Sequence, residues 1–371
     1  MYGNQIGDSI PQPIGLLSSL NELSLSTNNL TSSIPSSIGN LGNLTILYLY
    51  DNQLSGSIPQ EIGMLWSLIE LALSMNNLTG SIPSSIGNLG NLAALYLFEN
   101  QFSGSTPHGI GMLRSLVDLY LSMNNLMGSI PVSLGNLTKL NALDLSLNSL
   151  SGSIPSEIGN LKQLGYLSFI DNQLTGSIPP RLNNLTHLKW FRIGYDKLVG
   201  HLPENLCFSG LLTELVAPDN NLTGPIPKSL KNCSSSYKVR LDGNQLSGNI
   251  SEDFGIYPSL VYIDLSHNNF YGELSKNWGK CHNLTDLRMS NNKIYGNIPP
   301  EFSKFSNLEN LNLAANDLSG SIPRALGECK KLWNLNLSNN RFGERIPIEI
   351  GHINTLQSLD RGNNLLIGKI P

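Results

Sequence analysis

The chain has 371 residues, of which only 13% are charged, with 23 basic against 27 acidic side chains and a net charge of −4. A typical soluble protein carries about twice that charged fraction, so polarity here rests on Asn, Ser and Gly. This balance, with no basic block, excludes nucleic acid or an anionic membrane surface as the main partner. Four cysteines exclude a disulfide scaffold, and no run approaches the roughly 20 apolar residues of a membrane span. Met1 is followed by neither a basic stretch nor an apolar one, so no secretory signal is visible.

The first 19 residues read as the tail of a truncated repeat. Met1 falls at the sixth position of a 24-residue unit, and Asn4, Ile6, Asp8, Ile10 and Pro11 follow in phase. From Leu20 the unit recurs at Leu44, Leu68, Leu92, Leu116, Leu140, Leu164, Leu188 and Leu212, passes Ser236, and continues at Leu260, Leu284, Leu308, Leu332 and Leu356. Fourteen full repeats (20–355) and a truncated fifteenth (356–371) make one repeat domain. Both ends cut through repeats, which reads as a piece of a longer chain or an incomplete gene model.

The unit is LxxLxLxxNxLxGxIPxxIGNLxx. Its LxxLxL part predicts a short strand with leucines pointing inward, paired in parallel with the next repeat's strand. Asn at position 9 has both donors and an acceptor for the turn that leaves the strand; Asp196 is the exception to it. Gly permits a left-handed or tight backbone, and Ile-Pro starts the return path. One repeat cannot bury its own leucines, so neighbours must stack into a continuous core. With strands about 4.8 Å apart, fifteen repeats give an inner surface on the order of 70 Å long.

Positions 3, 5, 7 and 8 of each repeat are free of the core and are predicted to face the inner side or its rim. In chain order they form three zones. The first is aromatic: Tyr48, Tyr50, Tyr96, Phe98 and Tyr120, edged by Asp51 and Glu99. Exposed aromatics on a rigid sheet bury area at little entropic cost, although tyrosine also favours strands in general. The middle zone is mixed: Tyr166, Asp171, Trp190, Arg192, Tyr195, Glu214, Asp219, Lys238, Arg240, Asp242, Tyr262, Asp264, His267, Asp286 and Arg288. Trp and Arg are typical of interface hot spots. Arg192, Arg240 and Arg288, all at position 5, predict a row able to hold a carboxylate or sulfate; the competing reading is a set of salt bridges to Asp264 and Asp242. The third zone is small and polar: Asn310, Asn312, Asn334 and Asn336. Ala217-Pro218 and Ser236 predict local loosening of the sheet, and Arg361, at an apolar position, predicts a frayed or degenerate last repeat.

Cys281 and Cys329 lie two repeats apart, too far to pair, and read as buried small hydrophobes. Cys207 and Cys233 lie in adjacent repeats, where a disulfide is open to them. Sequons at Asn29, Asn43, Asn77, Asn136, Asn184, Asn221, Asn232, Asn249, Asn283 and Asn336 fit a glycan-coated secreted surface; Asn-Leu-Thr is also built from repeat residues. No catalytic constellation, phosphate loop, metal-ligand spacing or cofactor motif is present, so the chain reads as a binding surface and not an enzyme.

The segments Leu54-Ser55-Gly56-Ser57-Ile58-Pro59 and Leu78-Thr79-Gly80-Ser81-Ile82-Pro83 resemble the plant-specific class of leucine-rich repeats, and the resemblance covers essentially the whole chain. It implies an α/β-type repeat solenoid wound as a twisted right-handed superhelix, with a parallel sheet on its concave face. The stretches 255–260 and 269–278, with Asn249-Ile250-Ser251, look like the ectodomains of peptide-sensing receptor-like kinases of subfamily XII. That resemblance implies a secreted peptide or protein ligand on the concave face. It also implies a co-receptor leucine-rich-repeat kinase of the somatic-embryogenesis-receptor type, and a place outside the plasma membrane, held by a transmembrane segment and followed by a Ser/Thr kinase that this chain lacks. The unbroken phase leaves no room for the insertion of steroid-binding receptors. Arg192-Ile193-Gly194-Tyr195 departs from the Arg-x-Gly-Gly motif of root-growth-peptide receptors. The alternatives are a receptor-like protein without a kinase, or a soluble defence protein similar to polygalacturonase inhibitors.

Overall fold

The computed structural model describes residues 1–369; positions 370 and 371, where the truncated fifteenth repeat ends, lie outside the described residues. The chain divides into two compact units, Met1–Leu188 and Lys189–Pro371, each a stack of 24-residue coils.

The coil beginning at Leu44 shows how the sequence dictates its own path. Leu44, Leu47, Leu49, Leu54, Ile62 and Leu65 are completely buried, and Ile58 nearly so. Each contributes roughly 1.5–3 kcal/mol on leaving water, which only stacking against neighbouring coils permits. The strand Ile46–Tyr48 therefore pairs in parallel with Glu22–Ser24 on one side and Glu70–Ala72 on the other, position 3 against position 3. Asn52 then joins coils as well as closing its own turn. Its Nδ2 donates to the carbonyls of Leu49 and Tyr50 and to that of Leu25 in the preceding coil, while its Oδ1 accepts the Leu30 N–H.

The turn out of the strand passes through left-handed backbone twice. Gly56 has φ 72°, as the repeat predicts, but position 8 does so first, with φ 58° at Asp51 and 60° at Asp171. The signal for the latter is the frequency of Asp and Asn at position 8, since these side chains tolerate that region best. Positions 10–14, for which the repeat pattern predicts no strand, form a second parallel strand. Asn125–Ser129, Ser149–Ser153 and Gln173–Ser177 pair this way. Ile-Pro then opens a five-residue 3-10 helix such as Ser84–Asn88, in which the Pro83 carbonyl accepts the Ile86 N–H. The return segments are thus 3-10 helices.

The second unit repeats this plan and corrects three expectations. The sheet does not loosen at Ala217-Pro218. Ala217 donates to the Arg240 carbonyl, and the Pro218 carbonyl accepts from Tyr195. Among the described residues, position 7 gives no backbone N–H to that ladder in the other coils, so proline removes nothing. Ser236, in place of leucine, is buried without breaking the stack. Arg361 is not a buried charge: it is half-exposed, and the strand just before it, Ser358–Asp360, stays paired with Asn334–Asn336.

The unusual stretch around 250–278 is a core substitution. Phe254 packs edge-on against Phe270 and beside Trp278, with ring centroids 6.0 and 5.9 Å away. Tyr257 is buried with them, its hydroxyl donating to the Leu230 carbonyl; burial pushes that phenol up to about 12. Cys207 and Cys233 form a disulfide with Cα atoms 5.7 Å apart, and Cys281 and Cys329 are free and buried.

Candidate functional site

In the first unit the inner strands carry an aromatic row. Tyr96 and Tyr120 have centroids 5.6 Å apart, Tyr120 and Tyr166 6.0 Å, Phe98 and Tyr120 6.5 Å, and Tyr48 and Tyr50 6.0 Å. All six rings are half-buried because they lie against one another on the sheet. Their hydroxyls meet carboxylates. Tyr48 donates to Glu70, Tyr96 to Asp118 at 3.3 Å and Tyr166 to Asp144 at 3.5 Å.

Glu70 is not among the residues the sequence singles out, yet a signal for it exists. Tyr48 and Glu70 are 22 residues apart, as are Tyr96 and Asp118, placing position 5 of one coil diagonally beside position 3 of the next. The hydrogen bond to Glu70, then burial, pushes the Tyr48 phenol up to about 12. For Tyr96 and Tyr120 burial leads, followed by Asp118, with the same result. These phenols therefore stay protonated donors. Large residues at positions 5 and 7 of two coils flank small ones in the coil between them. Tyr48 and Tyr50 on one side, and Tyr96 and Phe98 on the other, wall a recess over Ala72 and Ser74. Its volume is about 440 Å³, and Glu70 and Met75 complete its lining.

In the second unit Trp190 and Arg192 share the strand Trp190–Arg192. The competing reading of the position-5 arginines, internal salt bridges, is the one these contacts match, because each guanidinium holds a carboxylate. Arg192 Nε reaches Glu214 at 3.0 Å, again 22 residues on. Arg240 grips Asp242 with Nε at 3.1 Å and Nη2 at 2.9 Å, and Nη2 also donates to the Tyr195 hydroxyl at 3.0 Å. These bonds hold the Arg240 guanidinium above its ordinary range. Arg288 meets Asp286 at 2.9 Å. Rings complete the pattern, with Arg240 5.8 Å from the Tyr195 centroid, and Arg288 and Lys238 5.3 and 5.6 Å from that of Tyr262.

Asp264, predicted as a contact residue and as an arginine partner, is buried instead, and its Oδ1 accepts the Ser266 N–H at 3.0 Å. It closes its own turn, as Asn312 and Asn336 do at the same repeat position. Asp219 and His267 stand exposed at left-handed position 8. Eight of the ten sequon asparagines are exposed; Asn249 and Asn336 are half-buried.

A leucine-rich-repeat model matches residues 19–41, 43–65, 67–89, 115–137, 139–161 and 259–281, and a second one residues 282–342. The plant peptide hormone receptor RGFR1, solved with RGF2, is 31% identical over 98% of this chain and 70% of its own, with a TM-score of 0.77. The chain belongs to the leucine-rich-repeat ectodomains of plant receptor kinases. Among other such ectodomains, that of the Arabidopsis receptor kinase HAESA, solved with the peptide hormone IDA and the co-receptor SERK1, is 38% identical with a TM-score of 0.96. It matches all of this chain and 62% of its own. That of GASSHO1/SCHENGEN3 from Arabidopsis thaliana, solved with CASPARIAN STRIP INTEGRITY FACTOR 2, is 34% identical with a TM-score of 0.87, again over the whole chain and 48% of its own. This ectodomain chain thus spans about half to two thirds of the length of those two. A search of curated protein sequences finds no match.

Proposed function

We propose that the chain is the ligand-recognising part, one continuous repeat domain, of the ectodomain of a plasma-membrane receptor-like Ser/Thr kinase. A secreted peptide lies extended along the inner strands, and the bound peptide helps to recruit a co-receptor leucine-rich-repeat kinase. The chain itself performs no chemistry; its glycans coat the exposed sequons and leave the inner strands open.

The observation that carries this reading is the inner face of the second unit. Trp190, Tyr195 and the Arg240–Asp242 pair stand half-buried to exposed on a paired, rigid sheet. They combine the aromatic anchors and preorganised guanidinium found at interface hot spots. The likeness to HAESA, whose structure holds a peptide hormone and a co-receptor, supports it. Calorimetry of the chain against a panel of secreted plant peptides tests it. Trp190→Ala combined with Arg240→Ala is expected to weaken the binding peptide at least 100-fold, since hot-spot truncations cost about 2 kcal/mol or more each, while the far-ultraviolet spectrum and melting curve survive. Unchanged affinity in the double variant refutes the assignment.

A further inference from the structure

We propose that the recess walled by Tyr48, Tyr50, Tyr96 and Phe98 is a subsite for one basic side chain, lysine or arginine, of the bound peptide. The proposal rests on the peptide-binding reading above and names what one part of that face selects.

Shape comes first. The recess, about 440 Å³, falls within the range of small-ligand pockets. Four aromatic rings line it, and the negative face of such a ring attracts a cation within about 6 Å. Two tyrosines are held by carboxylates, Tyr48 by Glu70 and Tyr96 by Asp118, which fixes the ring planes before a ligand arrives. One oxygen of Glu70 takes the Tyr48 hydroxyl and the other has no hydrogen bond among the described residues; Glu70 is part of the lining of the recess.

Charge decides the occupant. Positions 3, 5, 7 and 8 of the repeats between 20 and 187 hold seven carboxylates, Glu70 among them, and no lysine or arginine. Residues 1–188 as a whole have ten acids against four bases. An anionic or purely apolar side chain in this recess would leave Glu70 without a counter-charge; a cation satisfies ring and carboxylate together.

The second unit shows that same constellation closed by the chain's own side chains. There Arg288 lies 5.3 Å from the Tyr262 centroid and on Asp286, and Arg240 lies 5.8 Å from that of Tyr195 and on Asp242. The first unit has the tyrosines and the acids but not the cation, which the ligand supplies.

The test pans a randomised dodecapeptide display library against the full chain. Peptides that need Trp190 and Arg240 are expected to carry Lys or Arg at one fixed position. Replacing that residue by norleucine should weaken binding at least 10-fold to the native chain, and by less than 2-fold to the Glu70→Gln variant. Glutamine keeps the size of Glu70 and its acceptor for Tyr48, and Tyr96→Leu, which removes one ring but keeps Glu70, should reduce the norleucine penalty by a smaller amount. Peptides that need Trp190 and Arg240 but show no fixed basic residue, or lose equal affinity on native chain and variants, overturn the subsite alone. If no recovered peptide depends on Trp190 and Arg240, the peptide-binding reading fails and the subsite falls with it.

Discussion

Asn124→Ala removes one member of the asparagine ladder from the interior of the first unit. The Asn124 side chain is buried. Its Oδ1 accepts the Phe102 N–H at 3.0 Å, and its Nδ2 donates to the carbonyls of Leu97, Leu121 and Ser122 at 3.0–3.1 Å. Alanine leaves the Phe102 N–H buried without an acceptor, a loss of about 1–3 kcal/mol. The two amide hydrogens are shared among three carbonyls, so about two further bonds go, at about 0.5–1.5 kcal/mol each. The sum is about 2–6 kcal/mol, concentrated in the coils from 97 to 128 because each coil touches only its neighbours. Denaturant titration followed by circular dichroism reads the total, and amide exchange at Phe102 reads the site. Asn124→Asp should be worse still, since a carboxylate offers no hydrogen to three facing oxygens. A loss below about 0.5 kcal/mol, with unchanged exchange at Phe102, would refute the bridging role.

Two further outcomes follow from packing and burial. A Cβ on Gly111 would stand 2.4 Å from the Ser133 carbonyl oxygen of the next coil, whereas one on Gly90 would meet nothing within 4 Å. Gly111→Ala should therefore cost about 1–3 kcal/mol as the stack is forced open, and Gly90→Ala should shift the denaturation midpoint negligibly; equal effects would sink the argument. Burial raises the Asp264 carboxyl above its ordinary range, so the folded state favours its proton and loses stability as pH rises through that raised value. Asp264→Asn should melt higher than the native chain at pH 7 and level with it near pH 3, where both side chains are neutral. A lower melting point at pH 7 would mean that the charge is used in pairing.

How much of this was legible follows residue by residue. The leucine phase marks the core positions of every coil, and Tyr48, Tyr96, Trp190 and Arg240 lie on the inner strands where the phase puts them. Pairing was not legible. Glu70 and Glu214 are 22 residues from their partners, a separation that has meaning only once position 3 is set against position 3 in the neighbouring coil. Nor was it visible that Asp264 turns back to its own backbone while Asp242 turns to Arg240, since both are aspartates at repeat positions predicted to face the inner side.

The 24-residue repeat by itself determined the class of fold, the buried leucines, the ladder of asparagines and the set of positions open to a partner. It could do so because one short unit must satisfy its backbone and bury its apolar face against copies of itself. Only the tertiary structure decided which inner-face charges are already neutralised and which are not. Side chains from adjacent coils compete for the same partners across a few ångströms. In the second unit arginines win that competition inside the chain, and in the first unit no cation enters it.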